Sequence, residues 1–237
     1  MPLMTAAPRD GEPTVPPDAR WGGLREEILV LFACVAGAVL VVQAGGRLPY
    51  VGRHIHVVVA LIFLFVPLWV IERRGEDVAD CGFHMHDPWP GLAAAALLMA
   101  IVFAPFVVGY EWWWEPVRPF SFERLPGDFW NIAVSQFVVV ALPEEMLFRG
   151  YLQTRLERRF PSRSVRGIPV GWAIPLSSAA FALCHFAVIP APQRLAVFFP
   201  SLLFGFLRRR TGSLLAPIVF HGACNVLGDT LYYGYMG

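Results

Sequence analysis

ALPEEMLFRG, residues 141–150, decides how this chain is read. Two carboxylates, Glu144 and Glu145, and one guanidinium, Arg149, stand inside an otherwise apolar run. A charge at the centre of a bilayer costs at least about 2.5–3.5 kcal/mol on insertion scales, so an unpaired one there requires a purpose. Positions four apart share a helix face, so Glu145 and Arg149 can meet, with the acid on the favourable N-terminal side. Glu144 is turned about 100° away from Glu145 on the helical period. It has no partner in its own segment and must point elsewhere.

The surroundings of that stretch are those of a membrane bundle. Of 237 residues, 56% are hydrophobic and only 16% charged, against about a quarter charged in a soluble domain. Apolar runs fall at 28–44, 55–71, 91–109, 130–148, 170–189, 195–207 and 213–233. About 20 apolar residues carry a helix across roughly 30 Å of hydrocarbon. Backbone groups in lipid must be satisfied internally, so the spans are read as helices. The expected fold is all-α, a polytopic transmembrane bundle of seven to eight helices. The run at 195–207 is short, with Pro200 near its middle, and reads as a kinked span or a re-entrant piece. A further membrane segment has room in 72–90 or 110–129. Residues 1–27 read as a flexible, Pro-rich cytoplasmic tail and 28–237 as one transmembrane domain. Because the first apolar run starts only at Ile28, it reads as a retained span rather than a signal peptide.

Every one of the 19 basic residues is arginine. With the N-terminus inside and seven crossings, fourteen of them fall on the inner side and five on the outer. That bias supports a cytoplasmic N-terminus and an odd number of crossings. The arginine clusters flank apolar spans, so no nucleic-acid partner is expected. Cys34, Cys81, Cys184 and Cys224 form no CxxC pair and read as small buried hydrophobes. The tryptophans of YEWWWEP, 110–116, suit the headgroup zone. RLERRFPSRSVRG, 155–167, reads as a solvated basic loop against lipid headgroups.

Two further spans carry polar groups at membrane depth. FALCHF sets Phe181 and His185 four apart, and FHGACN does the same for His221 and Asn225. Singly, each is as well explained by helix–helix hydrogen bonding. Together with the glutamate pair they point to one shared polar site. Two carboxylates and two imidazoles in a low-dielectric pocket suit general acid–base work on water. A histidine and an asparagine amide can donate hydrogen bonds to a developing oxyanion. Ser177 and Ser178 lie far along the helix from His185, and neither Cys184 nor Cys224 sits as a histidine-activated nucleophile. A non-catalytic membrane immunity or scaffold protein, with these groups as helix glue, is the alternative. A small proton-relaying transporter is a third reading.

At these residues the chain resembles the intramembrane CAAX-protease and bacteriocin-processing family, whose members share EExxxR, FxxxH and HxxxN/B motifs. Here they are EEMLFR at 144–149, FALCH at 181–185 and HGACN at 221–225. The resemblance covers residues 130–228, which would hold the catalytic core. It implies an intramembrane endopeptidase that hydrolyses a peptide bond in a membrane-associated protein or peptide, including C-terminal sorting or anchor tails. Glu144 would be the general base, working with His185 on the attacking water. His221 and Asn225 would stabilise the oxyanion. Glu145 would pair with Arg149, and Phe181 would support His185. A glutamic mechanism without a cofactor is favoured; a zinc-dependent version would use Glu144, His185 and His221. The chain has no HExxH, and nothing in it indicates prenyl recognition. The expected setting is a prokaryotic cell (inner) membrane, with the lipid bilayer as surroundings.

Overall fold

The structure, a computed structural model, describes residues 24–84, 87–161, 163–165 and 168–236. Most of the expected N-terminal tail lies outside the described residues. Among them the chain forms α1 (Leu24–Gly45), the short α2 (Pro49–Arg53), α3 (Ile55–Arg73), α4 (Trp89–Trp114), α5 (Phe129–Arg159), α6 (Ala173–Val188), α7 (Phe198–Thr211) and α8 (Leu215–Met236). Four are long and apolar enough to cross a membrane: α1, α3, α4 and α5, while α6 is a shorter apolar helix. Each expected apolar run has its helix, with shifted ends. α1 starts at Leu24, so residues assigned to the tail form its first turn, and Glu27 is buried there. Beyond the ends of α3, α4 and α5, segments 72–90 and 110–129 contribute only 3₁₀ turns, Val78–Cys81 and Phe122–Arg124, among the described residues.

Two expectations are corrected. The run at 170–189 begins its helix only at Ala173, because β1 (Arg163–Val165) and β2 (Ile168–Val170) pair as an antiparallel hairpin before it. Pro200 does not interrupt the middle of a span. A 3₁₀ turn, Pro192–Val197, leads into α7, and Pro200 sits in that helix's first turn, where a missing N–H breaks no internal bond.

α5 is the axis of the molecule. Its segment Met146–Gln153 is buried at all eight positions, enclosed by α1, α3, α6 and α7. α8 packs on α4, on α7 and on the first half of α5. By contrast α1, α3 and α4 turn many large apolar side chains outward, among them Phe32, Leu61, Phe65, Leu97 and Ile101. In a bilayer these are lipid contacts. The three tryptophans 112–114 are exposed at the end of α4, as an interfacial position requires.

One end of the bundle is fastened by charge. Arg74, after α3, pairs with Glu26 and Glu27 at the start of α1. Arg155 of α5 pairs with Glu76, and Arg158 reaches Glu76 at 3.0 Å and Asp80 at 3.4 Å. Arg155 is only 6% exposed. The expected solvated loop is therefore, in its first turn, a continuation of α5 held by ion pairs. Arg208 of α7 donates to the Asp80 carbonyl at 3.3 Å and lies against Gly82. Gly82 has φ +82°, and a Cβ there would come within 2.7 Å of the guanidinium, so glycine meets two demands at once. The start of α1 and the ends of α3, α5 and α7 thus share one side, the arrangement that successive crossings produce.

Candidate active site

Pro143 shapes the region that carries the carboxylates. It has no N–H to donate, and its ring crowds the carbonyl one turn back. The turn before it, Gln136–Ala141, is wound as a π-helix, with the Leu142 N–H bonded to the Phe137 carbonyl. One α-helical turn, Leu142–Glu145, follows, and Met146–Gln153 is π-helical again. Such segments recur at functional sites because they re-aim side chains within a helix.

Glu145 and Arg149 meet as their spacing predicts, Oε1 to Nη1 at 3.0 Å, both fully buried. Arg149 is the largest fully buried side chain among the described residues. Its other terminal nitrogen donates to the Ser201 hydroxyl at 2.6 Å and the Ser201 carbonyl at 3.2 Å. The guanidinium also lies over the rings of Phe181 (4.5 Å) and Phe204 (5.1 Å). Three helices thus compensate the buried charge, by an ion pair, two hydrogen bonds and two aromatic faces.

Glu145 has a second partner. His221 of α8 presents Nδ1 to the same Oε1 at 2.8 Å. A carboxylate offers no proton, so Nδ1 carries the hydrogen. His185 of α6 is fixed in the same sense, with Nδ1 donating to the Phe181 carbonyl at 3.0 Å. Both rings therefore turn Nε2 inward. Those two nitrogens converge on one atom, Oε2 of Glu144, at 3.7 Å from His221 and 4.0 Å from His185. Phe204 stacks on His221 (4.5 Å between centroids, 15° between planes), and Phe181 lies 4.4 Å from the His185 ring.

Glu144, Glu145, Arg149, Phe181, His185 and His221 are therefore gathered, although His185 and His221 sit at opposite ends of their helices in sequence. Asn225 stands one step aside. Its Nδ2 donates to Gln136 Oε1 at 3.1 Å, and Gln136 Nε2 donates to Asp229 Oδ2 at 2.7 Å. Sequence reasoning overlooked Ser201, Phe204, Gln136 and Asp229. Gln136 and Asp229 did leave a signal: both are polar within apolar runs, and Asp229 continues the spacing of four from His221 through Asn225. Ser201 and Phe204 left none.

The set Glu144, His185, His221 bears on zinc. Zn–N and Zn–O bonds of about 2.0–2.2 Å place tetrahedral ligand atoms about 3.3–3.6 Å apart. The separations here are wider, and among the described residues no group of three or more His, Cys, Asp or Glu is disposed to hold a metal. No step below is routed through zinc.

Residues 126–227 match the family model described as type II CAAX prenyl endopeptidase, Rce1-like. This is the family that the three motifs resemble, and the matched segment contains all of the residues gathered above. No curated protein and no solved structure matches the chain. The apolar helices and the family match together identify an integral membrane protein.

Proposed function

We propose that this chain, carrying the Rce1-like segment at 126–227, is an intramembrane endopeptidase of glutamic type. The observation that carries the reading is the convergence of two imidazole Nε2 atoms on the buried Oε2 of Glu144. These gaps exceed a hydrogen bond and suit one bridging water. In the reaction, Glu144 takes a proton from that water while the water oxygen bonds to the carbonyl carbon of the scissile amide. His185 orients the water through Nε2. The carbonyl oxygen becomes an oxyanion, met by His221 and the Asn225 amide. To donate through Nε2, His221 must carry both ring protons, and the Glu145 carboxylate at Nδ1 offsets that charge. The C–N bond then breaks, and the proton held by Glu144 goes to the leaving amine.

The substrate class is a membrane-associated protein or peptide, cut close to the bilayer, with C-terminal anchor tails included. The arginine bias supports a cytoplasmic N-terminus; in the proposed setting, a prokaryotic cell membrane, the ion-paired end of the bundle faces inward.

The test compares the termini of membrane proteins in cells carrying wild-type chain or Glu144→Gln, with a chelator arm on purified protein. Gln keeps the shape and removes the base. Termini that vanish with Glu144→Gln while the folded bundle persists support the reading. Unchanged termini overturn it, and cleavage abolished by chelator and restored by zinc replaces it with a metalloprotease using Glu144, His185 and His221.

A further inference from the structure

The groups around Asn225 form a chain that none of the three motifs contains. Asp229 accepts from Gln136, and Gln136 accepts from Asn225. An ionised carboxylate can only accept. Gln136 therefore turns its NH₂ to Asp229 and its carbonyl to Asn225, and Asn225 must meet that carbonyl with its own NH₂. One Nδ2 hydrogen is engaged and the other remains available. The negative charge of Asp229, passed through a single side chain, thus sets which way round the Asn225 amide sits. The fold holds the middle member in place. Gln136 opens the first π segment of α5, and α8 comes so close there that a Cβ at Gly222 would collide with the Phe137 ring.

We infer that Gln136 and Asp229 are positioning residues that keep the Asn225 amide nitrogen, rather than its oxygen, aimed at the developing oxyanion; this rests on the endopeptidase reading above. A flipped amide would present a lone pair to a negative charge. Loss of one oxyanion donor lowers kcat by about 10²–10³. Loss of orientation alone is smaller, because the amide still samples the correct flip.

The experiment uses the full chain reconstituted in lipid nanodiscs. Its substrate is an internally quenched peptide spanning a Glu144-dependent cleavage found in cells. Asp229→Asn removes the charge at constant shape and should lower kcat about tenfold, with KM and the thermal midpoint close to wild type. Gln136→Glu alone sets two carboxylates against each other and should lower kcat further. The double variant Gln136→Glu/Asp229→Asn places the acceptor in the middle, where it receives from both neighbours, and should recover kcat to within about threefold of wild type. Wild-type kcat in Asp229→Asn overturns the inference. So does a loss matched by an equal fall in thermal midpoint and not recovered by the double variant, which marks a packing role. If no cleavage in cells depends on Glu144, the endopeptidase reading falls and this inference with it. If cleavage depends on Glu144 but is indifferent to Asp229, only this inference falls.

Discussion

His221 Nδ1 lies 2.8 Å from Glu145 Oε1, the same oxygen that pairs with Arg149 at 3.0 Å. One carboxylate oxygen therefore ties α8 to α5, while Arg149 ties α5 to Ser201 on α7. The neighbouring carboxylate, Glu144, is left facing the two Nε2 atoms. Two adjacent acids of the same chemistry hold different positions: Glu145 is enclosed between the Arg149 guanidinium and the His221 ring, and Glu144 faces the space between the two imidazoles.

This asymmetry gives the first prediction. Glu145→Ala strands a fully buried guanidinium and should destabilise the bundle by about 3–5 kcal/mol. Replacing both partners, Glu145→Met with Arg149→Met, should cost less than Glu145→Ala alone, because no orphan charge remains. Thermal unfolding in detergent micelles measures both. Equal losses would show that the buried pair is not what Glu145 contributes.

Ser201 gives a smaller effect. Ser201→Ala removes the hydroxyl that accepts from Arg149 at 2.6 Å and leaves the carbonyl contact in place. A hydrogen bond to a charged group contributes about 1.5–3 kcal/mol, so the thermal midpoint should fall measurably. Ser201→Thr, which retains the hydroxyl, should restore most of the loss; a Thr variant as unstable as Ala points to lost space rather than a lost bond.

Gly222 is a steric requirement. Gly222→Ala drives a methyl group into the Phe137 ring and should cost about 1–3 kcal/mol as overpacking. Adding Phe137→Leu should relieve it. Double-mutant thermal melts check this, and strict additivity of the two changes would count against the contact.

Glu76 predicts a pH dependence at the ion-paired end. Partial burial pushes its carboxyl upward, but the hydrogen bonds and charges of Arg155 and Arg158 outweigh that, and the net effect holds it below the ordinary glutamate range. A carboxylate depressed in the folded state stabilises above its unfolded pKa, about 4.3, and that contribution is lost as pH falls through the folded value. Wild type should therefore melt higher than Glu76→Gln at neutral pH, and the gap should close in acid. A gap that persists or widens on acidification contradicts the pairing.

How much of this was legible in advance differs residue by residue. The Glu145–Arg149 pair follows from spacing, since both ends lie on one helix and four positions bring them to one face. The seven apolar runs follow from composition, since hydrocarbon leaves a polar backbone no partner but itself. The ends of elements did not follow. Nothing in 170–172 announces that a hairpin delays α6, and the arginines of 155–158 look like a free loop until Glu76 and Asp80 arrive from a segment some eighty residues earlier.

What the sequence determined by itself was periodicity and cost: helices where water is excluded, and ionisable groups too expensive to stand there alone. What only the tertiary structure decided was which of two neighbouring glutamates is enclosed and which is presented. That choice depends on Ser201, Phe204, His185 and His221, side chains from three other helices. Local spacing fixes directions on one helix; the approach of another helix is set by packing summed over the whole core, and no stretch of ten residues contains it.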